Sequence, residues 1–173
     1  MPRYALIDAA RDPRLYALIQ TEPDAACLFG GVIDPVLAPA APYILPIRPQ
    51  TRFKQAFQAH GWLALWGISC FADAPLMEVR RQLRKSLQAI LPDGRVGLFR
   101  FYDPRVFVPM MQAASDADIA PWFGPITDYW SPHPETGATL RFLRSGDGTL
   151  RTQEMSAPRT ARMVQAKPGS RTG

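Results

Sequence analysis

Cysteine and histidine are scarce in this 173-residue chain, with two of each. Cys27 and Cys70 both lie in apolar runs and read as buried thiols. Their spacing supports no disulfide framework, and with His60 and His133 it matches no compact tetrahedral metal site. Neither a metal nor a cofactor is therefore expected. No apolar run is long enough to span a bilayer, and no lysine-rich segment leading into an apolar stretch opens the chain. A membrane role is not expected, and cytoplasmic residence is the default. Phosphate-cradling glycine patterns are missing as well, because Gly30-Gly31 precedes neither a helix signature nor Gly-Lys-Ser. Gly67-Ile68-Ser69-Cys70-Phe71 lacks the second glycine of a nucleophile elbow.

Apolar residues are plentiful at 47%, enough for one domain with a real core. Eighteen prolines bound many short elements. The formal charge is +5, unevenly spread. Five basic residues against Glu154 give residues 151–173 a charge of +4, which leaves +1 for residues 1–150. A nucleic-acid footprint needs a basic face on the fold itself, so nucleic acid is an unfavoured partner. Residues 1–150 are expected to form the domain, and residues 151–173 a flexible basic tail.

Strand-like runs occur at RYALI (3–7), ACLFG (26–30), YILPI (43–47), WLALWGIS (62–69), RVGLFRFY (95–102), TDYW (127–130) and TLRFLR (139–144). Helices are expected after Asp12-Pro13, after Thr51, from Pro75 and from Pro104. The helix from Pro75 carries Leu76, Val79, Leu83, Leu87 and Ile90 as one buried stripe. This order predicts an α/β layer domain with a mixed sheet flanked by helices. Pro46 has no ladder donor, so YILPI is expected at an edge or a bulge.

The stretch FRFYDPRV (99–106) concentrates the charge questions. Asp103 precedes Pro104 and reads as the N-cap of a proline-started helix. Strand alternation puts Arg100 and Tyr102 on one face, where a buried Arg100 would need a carboxylate; Asp8, at the end of the first strand, is the candidate. A catalytic reading would make Asp8 and Asp103, with His133, an acidic site of a small hydrolase or transferase. A structural network is the leading reading, and a partner-binding corner is the second. Arg80, Arg81, Arg84 and Lys85 form the densest basic cluster of the body. They suit ordinary solvation, an acidic protein partner, or less well a phosphate backbone. Trp122, Phe123, Tyr129 and Trp130 read as core or as interface anchors.

YALIDAARDPRLYALI and LPDGRVGLFRFYDPRVFVPMM, with APYILPI, WGIS, PLMEVRRQLRKSL and FGPITDYW, resemble the effector-loading adaptor family of bacterial type VI secretion systems. The resemblance covers about residues 3–145, and its most specific part is the DGR…FRFYDPRV combination. It implies a cytoplasmic, non-enzymatic chaperone-like adaptor that binds a toxic effector and hands it to the VgrG-like spike protein. It also makes Asp8, Arg100, Tyr102, Asp103, Pro104 and Arg105 the signature positions. Many relatives carry an extra C-terminal helical region; here the chain passes instead into the Pro/Gly/Arg segment. Bivalent recognition follows as an expectation, with a spike terminus adding a strand beside YILPI and the effector taking another face.

Overall fold

The runs RYALI and YILPI are apolar on both sides because helices cover both faces of the sheet where they lie. The computed structural model describes residues 1–90 and 93–155. In chain order, β1 (Arg3–Asp8) leads through a 3-10 turn (Ala9–Arg11) to α1 (Leu15–Ile19), β2 (Ala26–Cys27) and β3 (Pro42–Pro46). Next come α2 (Arg52–Ala56), a π-helical turn (Phe57–Gly61), β4 (Gly67–Ala72) and α3 (Leu76–Arg84). A small hairpin of β5 (Gln88–Ile90) and β6 (Val96–Leu98) precedes α4 (Pro104–Ala113) and α5 (Asp116–Phe123). β7 (Ile126–Pro132), β8 (Thr139–Arg144) and β9 (Leu150–Met155) complete the described chain.

The main sheet has the order β2-β3-β1-β4-β7-β8-β9. The α/β class is as expected; every ladder is antiparallel, so the sheet has no parallel component. Alternation along β1 shows how the faces divide. Tyr4 and Leu6 join Ile44, Ile68 and Cys70 in a core closed by Val79 and Leu83 of α3, Phe107 of α4 and Ile119 of α5. Ala5 and Ile7 point the other way, onto Leu15 and Ile19 of α1 and Phe53 of α2. Fully burying each such aliphatic side chain contributes roughly 2 kcal/mol. β1 and β4 pair closely at Ile7 and Gly67. A Cβ at Gly67 would lie 1.9 Å from the Leu6 carbonyl oxygen, so only glycine fits there.

Several expectations change in the structure. YILPI is flanked on both sides, by β1 and by β2, and is no edge strand. The Ile47 N–H donates to the Arg3 carbonyl at 2.8 Å, and the Leu28 N–H to the Pro42 carbonyl at 2.8 Å. Alternate backbone groups therefore serve opposite neighbours, and the missing donor of Pro46 faces the side that two-residue β2 no longer reaches. Strand addition beside YILPI is set aside accordingly. WLALWGIS does not start a strand at Trp62. The π turn continues, with the Trp62 N–H donating to Phe57 O at 2.8 Å and Trp66 N–H to Gly61 O at 2.9 Å. Trp62 and Trp66 pack on the α1–α2 side, and the strand begins at Gly67.

α3 stops at Arg84, and Ile90 leaves its stripe for β5. RVGLFRFY is a strand only as far as Leu98. Residues 100–103 turn, closed by Asp103 N–H to Arg100 O at 3.0 Å, which lets neighbouring Phe101 and Tyr102 both be buried. α5 was not anticipated, although Ser115 and Asp118 form a reciprocal capping box. Residues 151–155, expected in the tail, belong to β9 and pair with β8; the remainder of that segment lies outside the described residues. Pro92, expected in the turn before Arg95, lies outside them as well.

Candidate functional site

The corner where β1 ends beside the start of α4 holds two buried carboxylates under an arginine canopy. Asp8 turns out of β1 with its N–H donating to Trp66 O at 2.9 Å. Its Oδ1 accepts the Ala10 N–H at 3.2 Å, capping the 3-10 turn, and its Oδ2 pairs with the Arg100 guanidinium. The Asp8 side chain is 1% exposed and that of Arg100 45%. Arg100 thus lies over the carboxylate at the surface and is not buried beside the core. Asp103 caps α4, its Oδ1 accepting the Arg105 N–H at 3.0 Å and the Arg105 Nε–H at 3.0 Å. Pro104 supplies the first helical residue and is buried.

Electrostatics shift the titration of Asp103 and Tyr102 in this corner. Burial works against the Asp103 carboxylate, but the side-chain and backbone hydrogen bonds from Arg105, helped by the nearby Arg11, outweigh it and hold its pKa below the ordinary value. Burial pushes the Tyr102 phenol up to about 12, with Asp8 adding to the effect and Arg100 opposing it. A carboxylate held in its charged form by a guanidinium and helix N–H groups is a poor proton shuttle near neutrality. His133 does not join these acids through a hydrogen bond among the described residues. Its Nδ1 accepts the N–H groups of Glu135 at 3.2 Å and Thr136 at 3.4 Å within the β7–β8 turn.

The basic cluster divides. Arg80 reaches inward, donating from Nε to the Cys27 carbonyl at 2.7 Å and from Nη2 to the Phe29 carbonyl at 2.9 Å. It ties α3 to the chain after β2 and does not belong to the outward basic face. Arg81, Arg84 and Lys85 remain exposed. The aromatic group divides too. Phe123 and Tyr129 are core, the Tyr129 hydroxyl donating to Trp122 O at 2.7 Å. Trp122 packs edge-on to Phe99 and Phe101 and stays half-buried.

Trp130 lies on the opposite face of the sheet from Tyr129. Arg3 and Arg141 sit over its ring, at 5.5 and 5.8 Å from the centroid. Asp128 accepts from the indole N–H and from Arg141. Desolvation lowers the Arg3 pKa, with the Asp128 carboxylate opposing. Sequence reasoning missed this stack; alternation along TDYW puts Asp128 and Trp130 on one face, but only the pairing of Trp130 with Arg141 brings in the arginine. Among the described residues, no group of three or more His, Cys, Asp or Glu side chains is placed to hold a metal ion, and no helix is long and apolar enough to cross a membrane.

An antiparallel sheet flanked by helices, with its first strand tied to the segment before α4 by the Asp8–Arg100 pair, defines an α/β domain. The chain belongs to the family described as a domain of unknown function, DUF4123, which it matches over residues 3–121. No curated protein and no solved structure matches it.

Proposed function

We propose that this protein is a non-enzymatic bacterial adaptor that acts in the cytoplasm, binding a type VI secretion effector and loading it onto the VgrG-like spike. The observation that carries this reading is how the signature acids are used. Asp8 and Asp103, which a hydrolase or transferase would need, are each engaged by a guanidinium and by a backbone N–H of the turn or helix that they cap. The resemblance centred on DGR…FRFYDPRV supplies the direction of the proposal, and the family match overlaps that segment. The grooves beside α1, beside α3 and beside Pro75 are lined by none of Asp8, Asp103 and His133. That favours recognition through surfaces over chemistry at the corner.

Holding effector and spike on one small domain converts their meeting into an intramolecular step, raising their effective concentration without any new contact between them. The test is co-expression of the chain with a type VI spike protein and a candidate toxin from the same bacterium, followed by size-exclusion chromatography. The expected result is a complex containing all three, with the toxin absent from the spike when the adaptor is left out. Toxin that loads equally well without this protein would overturn the proposal.

A further inference from the structure

A groove runs between α3 and the β5–β6 hairpin. It encloses about 620 Å³. One wall is cationic, made by Arg81, Arg84 and Lys85. No acidic residue lines the groove, and none of the three cations forms an ion pair among the described residues. Among the described residues, the Lys85 ammonium donates to Gln82 Oε1 at 3.1 Å. The Arg84 guanidinium lies against the chain at Gly30, where a Cβ would come within 2.2 Å of its Nη2.

The facing wall is aliphatic. Cross-strand pairing of Ile90 with Val96 and of Gln88 with Leu98 puts these side chains on one face of the hairpin. Ile90, Val96 and Leu98 are 80%, 64% and 53% exposed, and Val96 and Leu98 line the groove. A two-stranded hairpin gains little stability by itself in water. This one is anchored by the Phe99 N–H donating to Leu87 O at 2.8 Å, and it presents its larger apolar side chains outward. Aliphatic groups opposite unpaired cations form a surface that is complementary to a ligand with two chemistries.

We propose that this groove docks a segment of a partner protein that carries acidic side chains along one side and aliphatic ones along the other. Charge complementarity selects the acidic side, and the hairpin wall selects the aliphatic side. A nucleic acid would satisfy the cations but gain little from Val96 and Leu98, because single strands rely on aromatic stacking; the one aromatic side chain that lines the groove, Phe29, is half-buried against the core. The inference rests on the adaptor reading for the partner's identity, but not for the partner's chemistry.

The test uses the full-length protein and a synthetic peptide with Glu on one helical face and Leu on the other. Comparison probes are the same peptide with Lys for Glu, the same peptide with Ser for Leu, a single-stranded oligonucleotide, and phosphatidylserine vesicles. Binding is followed by fluorescence anisotropy and by amide chemical shifts. The Glu/Leu peptide is expected to bind best and to shift signals of residues 81–85 and 96–98. R81E/R84E and V96S/L98S are each expected to weaken it about tenfold or more, with circular dichroism and melting temperature unchanged.

Equal binding of oligonucleotide or vesicles, weakened by R81E/R84E but not by V96S/L98S, would overturn the proposal in favour of a general polyanion surface. Absence of peptide-induced shifts in the groove would also overturn it. The combined four-site variant, tested with the spike and toxin, separates the two readings. Retention of both partners removes the groove and leaves the adaptor function standing. Failure of the unaltered protein to bind either partner removes the adaptor function, while the peptide result still decides the groove.

Discussion

Replacing Arg100 with Gln tests whether the signature corner is held by charge. The substitution removes the guanidinium from a carboxylate that is 1% exposed, leaving Asp8 with the Ala10 N–H as its remaining side-chain hydrogen-bond donor. Two unit charges ~4 Å apart attract by about 4 kcal/mol at an effective dielectric of about 20. Arg100 is 45% exposed, so solvent screens the pair and reaches the carboxylate once the guanidinium has gone. The net loss then falls between that of an exposed pair, about 1 kcal/mol, and that of a broken buried pair, about 3–5 kcal/mol. We expect about 2 kcal/mol, or a melting temperature about 4–8 °C lower for a chain of this size. Urea denaturation followed by tryptophan fluorescence measures it. Asp8→Asn keeps an oxygen for the Ala10 N–H, so the double variant D8N/R100Q should be less destabilised than the sum of the single ones by about 1 kcal/mol. Arg100→Lys, which keeps the charge, should recover part of the loss. An R100Q protein within about 0.5 kcal/mol of the parent would refute the reasoning, because Asp8 would then be satisfied without its partner.

Gly67→Ala would place a Cβ 1.9 Å from the backbone oxygen of Leu6 and force β1 and β4 apart; we expect a loss of about 3 kcal/mol or more by urea denaturation, and a variant as stable as the parent would contradict the register. Arg80→Met should cost about 2 kcal/mol, because the Cys27 and Phe29 carbonyls lose a charged donor. The neighbouring Arg81→Met should stay within about 0.5 kcal/mol, and equal losses would mean that Arg80 is not a structural tie. Burial raises the phenols of Tyr43 and Tyr102 to about 12 in the folded state. A folded pKa above the unfolded one favours folding fully below about pH 10. That contribution is lost as the pH rises from there through about 12. Phenolate absorbance and urea midpoints should therefore fall out of step with free tyrosine above pH 10, whereas ordinary titration of both groups in a protein that stays folded would count against their burial.

Much of the framework could be read from local signals. Asp103-Pro104 announces its cap through residue types that suit an N-cap and a first helical position, and Thr51 caps α2 as its place before the helix suggests. TLRFLR becomes β8 with the boundaries its composition marks. Asp8 was identified as the partner of Arg100 because a strand-end carboxylate was needed. The failures share a physical cause, since an apolar run fixes burial but not conformation. Trp66 is buried and Trp62 half-buried from a π-helical turn as readily as from a strand, so WLALWGIS could not be divided by pattern alone. Phe101 and Tyr102 are both inside because the chain turns there, which strand alternation cannot describe. Pro46 suggests an edge position or a bulge, but a missing donor requires only one open position on one side. LRTQEM gave no apolar signal because β9 is the last strand of the sheet and its middle residues are exposed.

The distribution of charge explains why the most recognisable motif and the proposed docking surface are different places. Arg100 and Arg105 are committed to buried aspartates, Arg80 to backbone carbonyls, and Arg3 and Arg141 to the Trp130 ring. A cation already engaged within the fold can meet a partner only by giving up an internal contact, and the carboxylate or carbonyl left behind then pays the desolvation cost. Arg81, Arg84 and Lys85 have no such commitment among the described residues, and they face an aliphatic wall that would also gain from being covered. Charge reversal at the YDPR corner should therefore yield a less stable protein whose affinity for partners is unchanged at temperatures where it is folded. The same change in the groove should leave the melting temperature alone and reduce affinity. Measuring both quantities on both variants tests that division, and a corner variant that is stable but unable to bind would reverse it.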